Sequence, residues 1–509
     1  MSAPDPFGGG PQKPRISQAS FLEAVEENVE TFDMELEEAV ADAKAAFEAQ
    51  GVDLRGIVCG SRAEVDAHPV VVAVRSCHAL AGTGKDGAEA TPSDGDGAAG
   101  SAEASPQEVA RVLSELQAVC SSDSDREVAA AQGAMDPLKV LLITRGESAG
   151  VVRDLLVCVG ELCRGKTDCL RDGLGGAGAS LLVIAANKHA GDAGVQEAAL
   201  WALARCMNRN EVNKCEVFNN GGEALIAAAV KGAAEGVASG AAGDAGMLRA
   251  ACAALRGMTA PDDPRKPGSN TFMQAISVAK LAPLAPLYPV VRLKKETADL
   301  TVELLNTIRR VAVNDDICVE VLDDGGVQVA LEVLELYRQT DLSVLRCVLF
   351  LLHTLCGADA VRFYLRDNCL GVLIAILTDT NARVKDADAS DREMVAAHAE
   401  VAEHTVAILK SIALRSEDSG QMIREQGGVK AVVESLRCFP ETEAVQRQAS
   451  NCLRNLVSYP MYRDVVQDLI AEGAESLLRT SNLKFKSCRD VARAAVRDMG
   501  LDFQDMPDK

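Results

Sequence analysis

The stretch QGAMDPLKVLL at residues 132–142 is echoed by NGGEALIAAAV at 220–230, DGGVQVALEVL at 324–334 and QGGVKAVVESL at 426–436. In each, a glycine follows a short helical pattern and opens an apolar run with helical spacing; a polar gap and a longer amphipathic helix come next. GASLLVIAA (178–186), LGVLIAIL (370–377) and EGAESLLR (472–479) extend the series. The marker glycines recur almost evenly: Gly133 to Gly178 is 45 residues, Gly178 to Gly222 is 44, Gly326 to Gly371 is 45 and Gly428 to Gly473 is 45. Gly371 to Gly428 is 57, an excess assigned to the charged stretch 379–393. Gly222 to Gly326 is 104, two units plus an insertion that includes PDDPRKPGSN at 261–270, with the missing turn near 281–283. Such a period predicts a stacked array: one unit cannot bury its apolar face alone, and neighbours complete a continuous core. The glycines supply left-handed turns that a β-carbon disfavours.

Composition supports helices. The chain has 509 residues, 48% of them apolar, carried by Ala, Leu and Val rather than by aromatics, which are only 3%, with Trp201 the single tryptophan. That balance excludes wholesale disorder and disfavours a β-sandwich or barrel. The net charge of −22 argues against general nucleic-acid binding. The opening MSAPDPFGGGPQKPRIS lacks the apolar centre of a signal peptide, and the longest apolar runs (181–186, 224–230, 347–352) fall far short of the ~18 residues of a membrane span. The 16 cysteines include no Cys-x-x-Cys pair and mostly occupy apolar helical positions, as buried thiols of a reducing compartment do. The expected location is therefore cytoplasmic, with nucleus and cilium as alternatives.

Residues 1–16 read as a disordered Pro/Gly-rich tail, and 17–58 as a helical N-terminal extension with a capping box at Ser20 and Glu23 and an end at Gly51. Residues 82–105 read as a flexible, low-complexity linker, and 106–500 as the repeat array. The intervening HPVVVAVRSCHAL (68–80) is consistent with either helix or strand.

Catalytic and cofactor motifs find little support. Gly173-Leu-Gly-Gly-Ala-Gly178 matches G-x-G-x-x-G, with Glu197 about 20 residues on, but the preceding CLRD is no strand and no βαβ alternation follows; a lengthened glycine turn between helices is the plainer reading. Gly82-Thr-Gly84-Lys85 lacks both the first glycine and the Ser/Thr of a phosphate loop. His68, His78, His189, His353, His398 and His404 form no metal-binding spacing, and the Asp pairs at 262–263, 315–316 and 323–324 suit turns and caps. No catalytic, cofactor or metal residues are assigned.

A period in the mid-forties is that of armadillo and HEAT repeats. The long third helices favour armadillo: AALWALARCM (198–207), ACAALRGM (251–258), LLNTIRRVAV (304–313), VAILKSIAL (406–414) and NCLRNLV (451–457). More narrowly, ISQASFLEAVEENVETFDMELEEAVADAKAAFEAQGVDL (16–54), ACAALRGMTAPDDPRKP (251–267) and the segment from CLRNLVSYP to CRDVARAAVRDMG (452–500) resemble the armadillo repeat-containing protein 6 family. The resemblance covers most of 16–58 and 106–500 and departs at 82–105 and 173–178. It implies an intracellular helical-repeat protein and brings no catalytic residues. The expected fold is thus an all-α, right-handed α-solenoid of about eight armadillo repeats with a helical N-terminal extension.

In armadillo folds the third helices line a concave groove. Importin-like adaptors place a Trp there and an Asn four residues later, repeat after repeat. The corresponding positions here are Val157/Glu161, Trp201/Arg205, Ala253/Gly257, Asn306/Arg310, Phe350/Thr354, Ala407/Ser411 and Asn451/Asn455, so the ladder is broken and an import adaptor is disfavoured. Positive charge stands in its place: Arg205, Arg209, Arg256, Arg309, Arg310, Arg346, Lys410, Arg454, Arg489, Arg493 and Arg497 lie on or beside these helices. The groove residues singled out are Trp201, Arg205, Arg256, Asn306, Arg309, Arg310, Phe350, Lys410, Asn451, Arg454 and Asn455. The expectation is a monomeric, non-enzymatic scaffold or adaptor binding an extended, acidic protein segment, without cofactor, nucleic acid or membrane. Alternatives are a structural subunit of a large cytoplasmic or ciliary assembly and a nucleotide-binding enzyme built on 173–178. Solvated arginines paired with local Glu and Asp are the plainer account of the same charges.

Overall fold

The computed structural model describes residues 14–83, 104–240, 244–263, 284–294, 297–386, 391–458 and 463–507. The chain is an all-α solenoid; among the described residues the only extended pairing is an isolated bridge between Arg15 and Asp53. It divides into two compact units, Met1–Ala282 and Pro283–Lys509.

In the first unit, helices Gln18–Phe32 and Leu36–Ala49 form a hairpin closed by Phe21, Val25, Ala39 and Ala43. The first helix starts one position after Ser17, whose hydroxyl accepts from the Ser20 backbone N–H, so the cap lies three residues ahead of the expected Ser20. Gly51 follows the second helix with φ 75°, as a helix stop should. The described residues begin at Pro14, whose carbonyl accepts from Asp53 N at 2.8 Å, while Arg15 pairs with the Asp53 carboxylate. The rest of the expected tail lies outside the described residues.

The ambiguous 68–80 stretch is helix. Pro69 occupies the first turn, where its missing N–H costs nothing, and Gly82 ends the helix at φ 67°. This Pro69–Ala81 helix packs on Pro106–Val119 and, with Arg62–Ala67, makes a three-helix unit. The array therefore begins upstream of residue 106, and residues 84–103, outside the described set, fall between the second and third helices of its first unit. Among the described residues, eight further groups of helices follow from Asp123. Three belong to the first compact unit: Asp123–Ala131, Met135–Thr144 and Ala149–Leu162; Cys169–Lys188 with Ala193–Met207; and Glu211–Asn219, Gly222–Ser239 and Asp244–Thr259.

Cys169–Lys188 is long and apolar enough on average to cross a membrane, with half of that window buried. It is two helices run together: Gly175 takes φ 64°, ψ 174° inside it, and Leu170, Leu174, Leu182 and Val183 enter the core. The turn of this unit is thus at Gly175, whereas the expected Gly178 is helical and buried against Leu174 and Lys139. The G-x-G-x-x-G match is this interhelical bend and has no strand before it, so the dinucleotide geometry is missing.

In the second unit, Leu287–Leu293 and Ala298–Val311 are followed by four groups: Asp315–Asp323, Gly326–Tyr337 and Leu342–Leu355; Asp359–Lys385 with Arg392–Ile412; Glu417–Glu425, Gly428–Cys438 and Glu443–Val457; and Arg463–Ala471, Ala474–Lys484 and Arg489–Asp498. Asp359–Lys385 runs through Gly371 without a turn. The additional residues of this group lengthen its helices to 27 and 21 residues. The expected missing turn near 281–283 and most of the 261–270 insertion lie outside the described residues.

The paired glycines divide their work. Gly221 carries φ 80°, and Gly222 lets the chain pass so close to Val217 that a β-carbon would sit 2.3 Å from Val217 Cγ1 and 2.7 Å from its carbonyl oxygen. Gly222→Ala is expected to lower stability by about 1–3 kcal/mol through forced backbone displacement. Gly232 is exposed on the same helix, and a methyl group added there would meet nothing within 4 Å, so Gly232→Ala is expected to raise stability by about 0.5–1 kcal/mol. Urea unfolding of the two variants checks both signs.

A basic third-helix surface

Successive third helices pack side by side within each unit. Their common register is visible at Glu161 and Arg205, which hold equivalent positions in neighbouring repeats and meet at 2.6 Å. Trp201 is half-buried, with the Arg205 guanidinium 5.4 Å from its ring centroid. Arg209 is shared between the Asp168 carboxylate at 3.7 Å and, through its backbone N–H, Asp262. In the Met1–Ala282 unit, then, Arg205 and Arg209 have acidic partners within the chain, as the plainer account expected. Arg256 is half-buried on Asp244–Thr259, one repeat further on.

The Pro283–Lys509 unit is different. On Ala298–Val311, Arg309 lies 4.0 Å over the Phe350 ring and reaches Asn306 Oδ1 at 3.5 Å. Its Nε is buried without a hydrogen-bond partner, and burial followed by the Arg310 charge pushes its guanidinium below the usual value. Lys410 donates to Gln448 Oε1 at 3.0 Å, and burial pushes it down as well. Asn455 donates to the Lys410 carbonyl at 2.9 Å, tying one third helix to the next, while Asn451 donates within its own helix to the Arg447 carbonyl. Among the described residues, Arg309, Arg310, Lys410, Arg447 and Arg454 have no carboxylate within ion-pairing distance. Arg346, by contrast, pairs with Glu400 at 2.8 Å.

The residues singled out from the sequence thus fall into two sets on two separate units: Trp201, Arg205 and Arg256 on the first, Asn306, Arg309, Arg310, Phe350, Lys410, Asn451, Arg454 and Asn455 on the second. Sequence reading missed the centre of the second set. His404 stacks on Phe350 with ring centroids 4.4 Å apart and planes 10° from parallel, and His353 lies 5.6 Å from His404. Burial, then Lys410 and Arg447, holds His353 down at about 4. Burial, then His353, Arg309 and Arg346, does the same for His404. Both are therefore neutral at physiological pH. Three positions before Ala407 the register puts His404 on the inner row, a signal masked by the longer spacing in this repeat. Arg447 lies one turn before Asn451 on the same row.

Residues 13–70 match the N-terminal domain of armadillo repeat-containing protein 6. The chain is 28% identical over 362 residues to armadillo repeat-containing protein 6 of Pongo abelii, covering 68% of this chain and 66% of that protein. It is 28% identical over 329 residues to armadillo repeat-containing protein 6 of Homo sapiens, covering 63% of this chain and 59% of that protein. The matched part of the chain therefore spans just under two thirds of these relatives' length. Among solved structures, an engineered protein aligns with a TM-score of 0.62 at 18% identity, over 95% of this chain and 99% of that one. A structure from work on a phosphorylation switch controlling the interaction between cadherin and β-catenin aligns with a TM-score of 0.60 at 15% identity, over 95% and 86%. At these identities the two structures speak for the fold alone. The N-terminal match and the relatives' alignment through the repeats agree: the chain is similar to armadillo repeat-containing protein 6 both in its N-terminal segment and along its helical array.

Proposed function

We propose that this protein is a non-enzymatic interaction scaffold that holds an extended, acidic protein segment against the third helices of the Pro283–Lys509 unit. The observation that carries this reading is the row of cations without carboxylate partners among the described residues, Arg309, Arg310, Lys410, Arg447 and Arg454, in a chain whose net charge is −22. An acidic chain has carboxylates to spare; leaving these cations unpaired on one face keeps their field for a ligand. Asn306, Asn451 and Phe350 on the same row supply amide and ring contacts to an extended backbone. In the Met1–Ala282 unit, Arg205 is held by Glu161 and lies 5.4 Å from the Trp201 ring centroid, which favours packing over ligand capture for both.

The cysteines fit a reducing, cytoplasmic setting: none of the 16 is in a disulfide, and 12 are buried. Burial pushes many of their thiols upward, to about 12 in Cys163 and Cys452, so they act as small apolar side chains.

The reading is tested by titrating a fluorescein-labelled poly(Glu-Ala) peptide into the full chain at low and high salt. Surface charge is screened over about 8–10 Å at physiological ionic strength, so affinity is expected to fall at least about ten-fold between ~50 and ~300 mM salt. A basic poly(Lys-Ala) peptide is expected not to bind. Salt-independent binding, or equal binding of both peptides, would contradict the reading.

A further inference from the structure

At the centre of the basic surface is a feature that positive charge alone does not explain. Phe350, His404 and His353 form a contiguous ring cluster, with the Arg309 guanidinium 4.0 Å from the Phe350 ring centroid. His404 is only 8% exposed, yet its Nδ1 has no hydrogen-bond partner, and neither has Nδ1 of His353. A neutral imidazole offers one N–H and one lone pair, whereas a protonated one offers two donors. Two unpartnered imidazole nitrogens amid guanidinium and ammonium groups are poorly matched to their surroundings, because like charge opposes their protonation. A carboxylate arriving among them reverses that balance.

We propose that this cluster is a proton-coupled carboxylate subsite: an acidic side chain of the bound segment accepts a hydrogen bond from His404 or His353, and the imidazole takes up a proton from solvent as it binds. The inference rests on the acidic-segment reading above and adds the place where one carboxylate is taken and the proton that accompanies it. The surrounding charges are accounted for element by element. Ala298–Val311 contributes Arg309, Arg310 and Glu303; Leu342–Leu355 contributes Arg346, which is held by Glu400. Arg392–Ile412 contributes Glu400, Glu403 and Lys410, and Glu443–Val457 contributes Arg447 and Arg454. From Asp359–Lys385, Arg362 is paired with Asp359 and donates to the Ser411 carbonyl at 3.3 Å. Cations outnumber acids among these groups, which keeps both imidazoles neutral until a carboxylate enters. The ligand then stabilises the charged form, and by linkage the charged form tightens the ligand. Affinity must rise as pH falls through the range where the bound imidazole titrates. Glu403, raised by burial, is the competing source of such a slope, since its protonation would also favour an acidic ligand.

The test measures binding of the fluorescein-labelled poly(Glu-Ala) peptide to the full chain between about pH 7.5 and pH 6, where its carboxylates remain ionised. Calorimetry in two buffers of different ionisation enthalpy counts the protons taken up. Wild type is expected to bind about three- to ten-fold more tightly at the lower pH with net proton uptake. H404Q/H353Q, or H404F/H353Q should the first fold poorly, is expected to bind with no pH slope, whereas E403Q is expected to keep the slope. Binding that is flat with pH in wild type, or a slope that survives in the histidine variants and disappears in E403Q, would overturn the subsite and leave the scaffold reading standing. No binding at either pH would overturn the scaffold reading and the subsite with it.

Discussion

Reversing two charges in the double variant R309E/K410E is expected to lower affinity for an acidic peptide by about 30- to 1000-fold, the largest binding effect available on this surface. Arg309 is half-buried, stacked on Phe350, and has no acidic partner among the described residues to offset its charge. Lys410 leans on Gln448 alone. An incoming carboxylate meets both in a partly desolvated setting, where a charge contact is worth more than in water; exchanging attraction for repulsion at two such positions amounts to roughly 2–4 kcal/mol. The conservative pair R309Q/K410Q keeps the surface free of new negative charge and is expected to show a smaller loss in the same direction. Reversal of Arg75 and Arg111, exposed and paired with Asp66 and Glu115, is expected to change affinity little, because those charges already have partners. Fluorescence anisotropy at one low salt concentration separates the three cases.

The largest stability effect is expected at Arg171. Its side chain is fully buried and donates to the carbonyls of Cys163 at 2.8 Å and Gly165 at 3.1 Å, and to the Asp168 carboxylate at 2.6 Å. The first two acceptors lie at and just beyond the C-terminus of Ala149–Leu162, where carbonyls have no partner within the helix and a cation complements the helix dipole. Arg171→Met fills the space but orphans those carbonyls, at a cost of about 3 kcal/mol. Lys214 is built alike, fully buried and bonded to the Ala260 carbonyl and Asp262 just after Asp244–Thr259. Arg362 reaches the Ser411 carbonyl in the second unit. In a repeat array, stability is close to a sum of unit and neighbour terms. Arg171→Met is therefore expected to bring forward the unfolding of the Met1–Ala282 unit and to spare Pro283–Lys509. Hydrogen exchange followed by mass spectrometry resolves the two.

How far the sequence carried the fold depended on where its signals were local. Gly221, Gly325, Gly427 and Gly473 all take left-handed φ values at the expected turns, because a positive φ is a property of one residue and its missing β-carbon. Gly178 and Gly371 misled because a glycine in a helix and a glycine in a turn look the same in sequence; only packing against Leu174 and Lys139, or an unbroken helix through 371, decides. The first repeat was hidden by the stretch between its second and third helices, which separates partners that touch in space. For the surface, the third-helix register was legible, and it placed Glu161 and Arg205 at matching positions. Their ion pair was not legible, since register says which residues are level and not which rotamers meet. The histidine cluster was obscured for a related reason: His353 and Phe350 come from one repeat and His404 from the next, and the longer helices of that repeat shift its numbering off the common period.

The central claim is that an acidic segment lies along the third helices of the Pro283–Lys509 unit, and photo-crosslinking tests it most directly. A poly(Glu-Ala) peptide carrying a benzophenone group is bound to the full chain, irradiated, and the adducts mapped by mass spectrometry. The account predicts adducts concentrated on Ala298–Val311, Leu342–Leu355, Arg392–Ile412 and Glu443–Val457, lost at high salt and in R309E/K410E. Adducts concentrated on the second helices, such as Gly326–Tyr337 and Gly428–Cys438, or on the Met1–Ala282 unit, would contradict it.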